Sequence, residues 1–435
     1  MSDHQDLDRA LWSGTSAEPP VDCPPLDGDR QADIAIVGAG YTGLSTALHL
    51  KEMGADAVVL EAREPGWGAS GRNVGQVIAG LKYEPVALEQ MYGVDIGGHM
   101  WRVGGGGPAM LYDLIRRFDI RCDLVNAGWI QPAVGERGLR TVAMRAEQWA
   151  ERGVDCGLLS RDEVAKMTGV TGYDGGWVDR RGGSLQPLAL VRGMARACLG
   201  MGVAIHGNSP VTSLTREGAR WRVATARGTV IADSVVLATN AYDTGLWSGL
   251  GRSIVPVRPV LIASRPLSPN LRGSILPGGE IASDTKRLLT YFRFDARGHL
   301  IMGGRGALGH APTPRLFDQL RVDAGHRFPQ VEADAWQHAW TGWIAMTADH
   351  LPHLHNPAPG LWAALGYQGR GVALATAMGR ELALRMRGGE AGREAWPVTD
   401  LRPLPFHGLR RPVLSAMRTA WRVRDSLEPR SAPAA

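Results

Sequence analysis

Three glycines and one glutamate carry the first chemical signal in this chain. Gly38, Gly40 and Gly43 stand in the spacing G-x-G-x-x-G, and Glu61 follows 18 residues after Gly43. In that spacing the first glycine makes a tight turn, the second lets backbone approach a pyrophosphate, and the third lets a helix pack close to a strand. The free N–H groups and dipole of the helix N-terminus then face the phosphates. A carboxylate at the end of the next strand accepts hydrogen bonds from both ribose hydroxyls and disfavours a 2′-phosphate. The chemistry indicated is binding of an adenine dinucleotide other than NADP. The alternative is a glycine-rich turn in some other α/β fold.

The elements that would position these residues are legible around them. Asp33 to Val37 is a short, β-branched, apolar run that suits a buried parallel strand. Leu44, Ala47, Leu48 and Lys51 recur at helical spacing, and Gly54 suits a helix C-cap. Ala57 to Leu60 is a second strand, closed by Glu61. Strand, glycines, helix, strand and acid thus occur in the order a βαβ nucleotide unit requires.

Size and composition set the outer limits. At 435 residues the chain should hold two domains, or one large domain with an insertion. A net charge of +5 on such a length is no nucleic-acid footprint. No run of 18 apolar residues predicts a membrane span, and the polar start Met1 to Asp6 is unlike a secretory signal. Cys23, Cys122, Cys156 and Cys198 are scattered without a C-x-x-C pair. They read as free thiols in a reducing compartment, so a cytoplasmic location is expected. Residues 1–32 are polar and proline-rich and read as an arm lying on the surface.

After Glu61 comes a long glycine-rich turn from Pro65 to Gln76. Its small residues let backbone lie flat against something large and planar. Taken together, Gly38 to Leu44, Glu61-Ala62-Arg63 and Gly66 to Asn73 resemble the flavin-dependent D-amino-acid-oxidase-like family. Glycine oxidases, monomeric sarcosine oxidases and gamma-glutamylputrescine oxidases belong to it, and the last branch is the most similar. The resemblance implies a mixed α/β fold: a Rossmann-like FAD-binding domain of the glutathione-reductase type, with an inserted antiparallel-sheet substrate domain. The expected division is 1–105, 180–256 and 335–435 for the first, and 106–179 and 257–334 for the second.

The resemblance also implies where FAD lies. Beside Gly38, Ala39, Gly40, Tyr41, Thr42, Gly43, Glu61, Ala62 and Arg63, it assigns the loop Ala69, Ser70, Gly71, Arg72, Asn73, Gly75 and Gln76 to the flavin. The family's usual Asn-Gly-Gly is Asn73-Val74-Gly75 here. The Val211 region would contact adenine, and Ala238, Thr239 and Asn240 would close over the dinucleotide. Thr239 and Asn240 also suit the cap of a following helix. Gly366, Tyr367, Gln368, Gly369 and Gly371, between a strand and a helix, resemble the C-terminal flavin motif. Some relatives attach the flavin through a cysteine shortly before a Met-Thr-x-Asp segment. Here that segment is Met346 to Asp349, the aligned position is near Gly342, and no cysteine follows Cys198. The FAD is therefore expected to be non-covalent, although His49 and His350 leave a histidyl link chemically open.

Three other features call for a structural reading. Gly104 to Gly107 should break regular structure ahead of a helix beginning at Pro108. Gly304 to Gly309 repeats G-x-G-x-x-G, but Pro312 and Pro314 follow, so no helix N-terminus is available and it reads as a decoy. His350, His353 and His355 lack the i, i+4 helical spacing of paired metal ligands, and no metal is expected.

For the substrate, the resemblance implies an amine or amino acid oxidised at its C–N bond to an imine, with oxygen as the electron acceptor and hydrogen peroxide as product. Tyr291, Trp340 and Tyr367 are candidate apolar walls around a neutral amine. Arg305 is the candidate partner for a substrate carboxylate. A dehydrogenase passing electrons to a quinone or protein, and a flavin-binding subunit without turnover, are the alternatives.

Overall fold

A computed structural model describes residues 10–242, 244–308, 313–388 and 396–409, with isolated positions between 412 and 424. Two large sheets organise it. The first is built on the strand Gly28–Val37, whose buried half begins at Ala32, and on the wholly buried Ala57–Leu60. In order across this sheet lie His353–Ala358, Leu361–Leu365, Gly228–Leu237, Gly28–Val37, Ala57–Leu60 and Ala204–His206. Every pairing in that path is parallel except the first. Ser213–Glu217 and Arg220–Ala224 add an antiparallel ribbon along Gly228–Leu237. Apolar residues on both faces fit a parallel sheet covered on both sides.

The second sheet runs Trp336–Thr341, Val255–Pro266, His299–Leu308, Tyr291–Phe294, Ile281–Ser283, Trp129–Ala133, Gly175–Asp179 and Cys156–Leu159. Its pairings along that path are antiparallel save one, between Ile281–Ser283 and Trp129–Ala133. Ile344–Met346 also pairs with Val255–Pro266. Trp336–Thr341 and Ile344–Met346 therefore hydrogen-bond to the second sheet, although the expected division at residue 335 separates them from it. A third, two-stranded pairing joins Gln76–Val77 to Gly183–Ser184.

Two helices fill the groove on one face of the parallel sheet. Tyr41–Glu52 follows the glycine turn, and Gly371–Arg387 follows Leu361–Leu365. They touch at backbone distance: a Cβ on Gly379 would stand 2.6 Å from Ser45 Cβ. Ser45 Oγ donates to Thr376 O at 2.7 Å and Thr46 Oγ1 to Gly379 O at 3.2 Å.

Gly104 to Gly107 do not interrupt the chain. They lie inside one long helical element, Pro85–Arg117, whose only non-helical position is Gly93 at φ 81°. The helix also passes through Pro108, where a start was expected. The reason is steric. A Cβ on Gly105 would come within 2.8 Å of the Trp149 ring, and one on Gly104 within 3.0 Å of Leu81. At Gly104 and Gly105 glycine's entropic cost in a helix, about 1 kcal/mol each relative to alanine, is offset by packing that a side chain would crowd, whereas a Cβ on Gly106 would meet nothing within 4 Å.

The N-terminal arm, described from Ala10, keeps much of Pro19 to Gln31 at the surface as expected but buries its first part. Trp12, on the short helix Leu11–Thr15, is completely buried, and so is Glu18. The Glu18 carboxylate takes the Arg121 N–H at 2.9 Å and the Arg196 guanidinium at 2.9 Å. The second glycine-rich repeat falls on the strand His299–Leu308 as far as Leu308, and the expectation that Pro312 and Pro314 leave no helix start fails, because proline is tolerated in a first helical turn. Gly309 to Pro312 lie outside the described residues, and the next helix is Pro314–Arg327. The C-terminal tail beyond Leu409 lies mostly outside them too.

Asp295 closes the hairpin between Tyr291–Phe294 and His299–Leu308. Its Oδ1 accepts the N–H of Arg297 (3.0 Å) and of His299 (2.8 Å), and Oδ2 stands 2.8 Å from His299 Nδ1. Burial pushes the carboxyl pKa up, but the His299 contacts outweigh it and the net shift is downward. A depressed carboxyl pKa adds stability above the unfolded value of about 4, and that stability is lost as pH falls through the folded value. The Asp295→Asn variant should therefore melt below the parent at neutral pH, with the gap closing below about pH 4. Melting curves of both proteins across that range check this; a gap independent of pH would show that the charge on Asp295 is not what matters.

Candidate functional site

Parallel strands end at one edge of their sheet, and that edge gathers the residues singled out by sequence. Gly38 to Gly43 follow Val37, Glu61 to Arg63 follow Leu60, Ala238 to Asn240 follow Leu237, and Gly366 to Gly371 follow Leu365. Val211 is drawn in by backbone bonds from Ser209 N to Glu61 O (2.8 Å) and from Asn208 N to Arg63 O (2.7 Å). This is the crevice outside the carboxyl ends of the strands where open α/β sheets bind ligands.

At its centre, Gly38 adopts φ 107° and a Cβ on Gly43 would sit 2.0 Å from Gly38 O. The helix Tyr41–Glu52 therefore starts almost in contact with the turn. Its N-cap is Gly40, which has no side chain to accept from the first turn. The Tyr41 N–H goes to Ser70 Oγ (3.0 Å), which ties the loop to the helix start. A Cβ on Gly40 would meet that same Ser70 Oγ at 2.9 Å. Glu61 accepts from Ala39 N (2.8 Å) and Arg63 N (3.0 Å). Burial pushes its carboxyl pKa up, and these amides oppose the shift. Ala62 and Arg63 are exposed beside it.

The loop after Glu61 is held from many directions. Ala69–Gly71 is a short 3-10 turn, and Gly66 N donates to Ala39 O at 3.1 Å. Asn73 Nδ2 donates to Ser70 O (2.8 Å) and Ala69 O (3.2 Å), while its Oδ1 accepts from Gly75 N (2.8 Å). Arg72 is buried, donates through Nε to Trp67 O (2.7 Å) and lies 4.9 Å from the Trp67 ring. Gln76 Nε2 reaches into the second sheet, to Ala282 O (3.1 Å) and Phe292 O (3.2 Å).

At the other end, Asn240 does not simply cap a helix. Its side chain accepts from Gly366 N at 3.1 Å and so joins two strand ends. Gln368 is buried, with Nε2 bonded to Thr347 Oγ1 (2.5 Å) and Gly366 O (3.2 Å). A Cβ on Gly369 would meet nothing within 4 Å, so the turn before Gly371–Arg387 faces open space there.

The substrate candidates fare differently. Trp340 and Tyr367 belong to the main apolar core, and Tyr291 packs against it. Trp340 is 2% exposed and donates its indole N–H to Arg72 O at 2.9 Å. Tyr367 is 5% exposed, with its hydroxyl 2.6 Å from Thr42 Oγ1. Both have committed their polar atoms to the protein. Tyr291 is half-buried and faces Gly303 across its strand pair, where a Cβ would fall 2.1 Å from the ring. Burial pushes the Tyr291 and Tyr367 hydroxyls upward in pKa, so both are neutral donors in the working range. Arg305 lies on His299–Leu308, but its side chain is outside the described residues.

Arg370, between Gly369 and Gly371 in the same turn, has no role in the expectations from sequence. It is 8% exposed, lies 5.4 Å from the Trp129 ring, and donates Nη1 to Ala79 O (3.0 Å) and Leu81 O (2.5 Å). Nearby, Glu84 pairs with Arg145 at 2.6 Å and Asp179 with Arg181 at 2.7 Å. Among the described residues Arg370 has no carboxylate in ion-pair contact. Burial drives its pKa down to about 9, with the charge of Arg145 adding to the effect. The guanidinium stays protonated at neutral pH, and the charges of Glu84 and Asp179 oppose the downward push.

Residues 33–385 match the family described as FAD dependent oxidoreductase. The chain belongs to that family. It is 32% identical to a probable oxidoreductase OrdL of Haemophilus influenzae, covering 83% of this chain and 84% of that one. It is 31% identical to gamma-glutamylputrescine oxidoreductase of Escherichia coli, over 91% and 93%. Its fold matches the crystal structure of glycine oxidase from Geobacillus kaustophilus with a TM-score of 0.68 at 22% identity, covering 83% of this chain and 96% of that one. The residues present fit FAD: a helix start with glycine at its N-cap, a carboxylate at the second strand end and an open glycine turn lie along one edge.

The remaining candidates have structural partners. The four cysteines are free thiols, and burial pushes Cys23 up to about 11 and Cys122 up to about 12. His353 bonds Asp349 (3.0 Å) and Thr399 Oγ1 (2.8 Å), and stacks on His355 at 5.3 Å. Among the described residues no group of three or more His, Cys, Asp and Glu could hold a metal, and no helix is long and apolar enough to cross a membrane.

The contact at Gly43 sets a direct test. Gly43→Ala should lower stability by about 3 kcal/mol, because backbone rather than a flexible side chain blocks the added methyl. It should also purify with much less FAD than the parent. Melting temperature and flavin absorbance report the two effects, and a variant with parental FAD content would show that the turn tolerates a wider helix.

Proposed function

We propose that this chain is an FAD-dependent oxidoreductase that oxidises the C–N bond of a primary or secondary amine or amino acid to an imine, with reoxidation by oxygen to hydrogen peroxide. The observation that carries this reading is the meeting of four strand ends, with both glycine turns, at one edge of the sheet. In it the parallel sheet is a Rossmann-like dinucleotide domain of glutathione-reductase type, and the second sheet forms the substrate domain. Trp336–Thr341 and Ile344–Met346 then belong with the latter, and the last boundary moves beyond Met346.

Bound FAD would supply the two-electron acceptor that amine oxidation needs. The chain's own residues bind and orient. Gly38 to Gly43 offer the helix start to the pyrophosphate, and Glu61 accepts from the ribose hydroxyls. Ala238 to Asn240 and the Val211 segment close over the dinucleotide. Ala69 to Gln76 runs along the ring system, and the start of Gly371–Arg387 favours negative charge at its pyrimidine end. Tyr291 stands on the substrate sheet as a neutral wall. Desolvation there lowers the amine pKa, so that the amine reacts uncharged. FAD is held without a covalent bond: no cysteine follows Cys198, and Gly342 packs its Cα against Arg72, where a Cβ would lie 3.0 Å from Arg72 Cβ.

The deciding experiment screens amines and amino acids for bleaching of the bound flavin under anaerobic conditions. A substrate should bleach it, and air should restore the colour with one equivalent of peroxide. Acid precipitation should leave the flavin in the supernatant. No bleaching by any amine would overturn the enzymatic reading, and colour in the pellet would overturn the non-covalent one.

Arg370 supports a substrate that carries a carboxylate, beside or in place of Arg305. Arg370→Met should raise KM for such an amine by about 10- to 100-fold, the loss of a charge-assisted pair. An amine without a carboxylate should be affected far less, and Arg370→Lys should recover part of the loss. Equal effects on both substrates would make Arg370 a clamp on residues 79–81 and nothing more.

A further inference from the structure

We propose that the N-terminal arm completes the cofactor site, and that Trp12 is a positioning residue for the flavin loop. The inference rests on the reading of Ala69 to Gln76 as the segment along the flavin. The family match begins at residue 33, so the arm lies wholly outside it.

Four consecutive carbonyls of the loop receive donors from separate parts of the chain. Arg72 O takes the Trp340 indole N–H at 2.9 Å, and Asn73 O takes the Trp12 indole N–H at 2.8 Å. Val74 O takes Arg293 Nε at 2.5 Å, and Gly75 O takes Leu185 N at 2.9 Å. Trp12 stands between Trp340 and Arg293 in space as well as in order. Its ring meets Trp340 edge to face at 5.7 Å, and the Arg293 guanidinium lies 5.1 Å from its centre.

The bond goes to the residue that shapes the loop. Asn73 spans the turn through its side chain, from Ser70 O to Gly75 N. Fixing its carbonyl fixes the orientation of its peptide plane. The arm in turn is locked by Gln186 Nε2, which donates to Trp12 O at 2.7 Å. A segment that only filled a cavity would need the apolar ring alone. Here the single polar side-chain atom of Trp12 is spent on the loop.

The test uses Trp12→Phe in the full-length chain, which keeps an aromatic ring and removes the donor. The dissociation constant of FAD should rise about fivefold, the effect of one lost hydrogen bond. The visible spectrum of the bound flavin should shift, while melting of the FAD-free protein changes little. Trp12→Ala, which also empties the space, should weaken FAD further. Parental FAD affinity and spectrum in Trp12→Phe would overturn the inference. Glu61→Arg separates the two levels. If it loses FAD while Trp12→Phe does not, the arm is mere packing and the cofactor reading stands. If both variants bind FAD as the parent does, the cofactor reading itself falls.

Discussion

The carbonyl row of residues 72 to 75 is the constraint on which the remaining architecture depends. A buried carbonyl left without a donor costs about 1–3 kcal/mol, so the donors that arrive each narrow the courses open to the loop. They come from the arm, from the second sheet twice, and from the segment between the paired Gly183–Ser184 and the helix Pro187–Gly200. Sheet orientation, arm docking and loop shape are therefore one problem. A loop so rich in glycine pays a high entropic cost to order, and only convergent bonding of this kind makes a fixed conformation stable.

The parallel sheet supplies the second condition. Because Ala57–Leu60, Gly28–Val37, Gly228–Leu237 and Leu361–Leu365 run the same way, residues more than 300 positions apart in sequence reach one edge. The two helices that begin there touch through Gly379 and Ser45, so their N-termini are set by the same packing. Substitution at either small residue would separate both helix starts, not one. Cofactor geometry is in this sense a property of helix packing far from the edge itself.

Legibility followed the range of the determining interaction. The turn at Gly38 to Gly43 and the acid at Glu61 were readable because their geometry is local: a strand, three glycines and a helix within thirty residues impose it. The turn at Gly366 to Gly371 was readable for the same reason. The fates of Trp12, Trp340 and Gly104 to Gly107 were not, since distant partners decide them. Nothing near Trp12 in sequence announces Asn73, although Leu11-Trp12 was an apolar pair in a polar arm. The glycine run looks like a helix breaker until Trp149, Leu81 and Ala373 stand beside it. Trp340 has the composition of a substrate wall, but its indole N–H answers a carbonyl that sequence does not place.

That same long-range logic accounts for an arginine at position 370. One of its nitrogens serves two carbonyls, Ala79 O and Leu81 O, while the guanidinium lies over the Trp129 ring. Residues 79–81 are in turn pinned to the glycine-rich helix by Gly80 N, which donates to Gly104 O at 2.8 Å. A lysine ammonium has donors enough for both carbonyls but lacks the planar face that lies over the Trp129 ring. The glycine turn, the second sheet and the long helix are thus joined through a single planar cation. Among the described residues no carboxylate stands in ion-pair contact with its charge, and Glu84 and Asp179 act on it only from a distance.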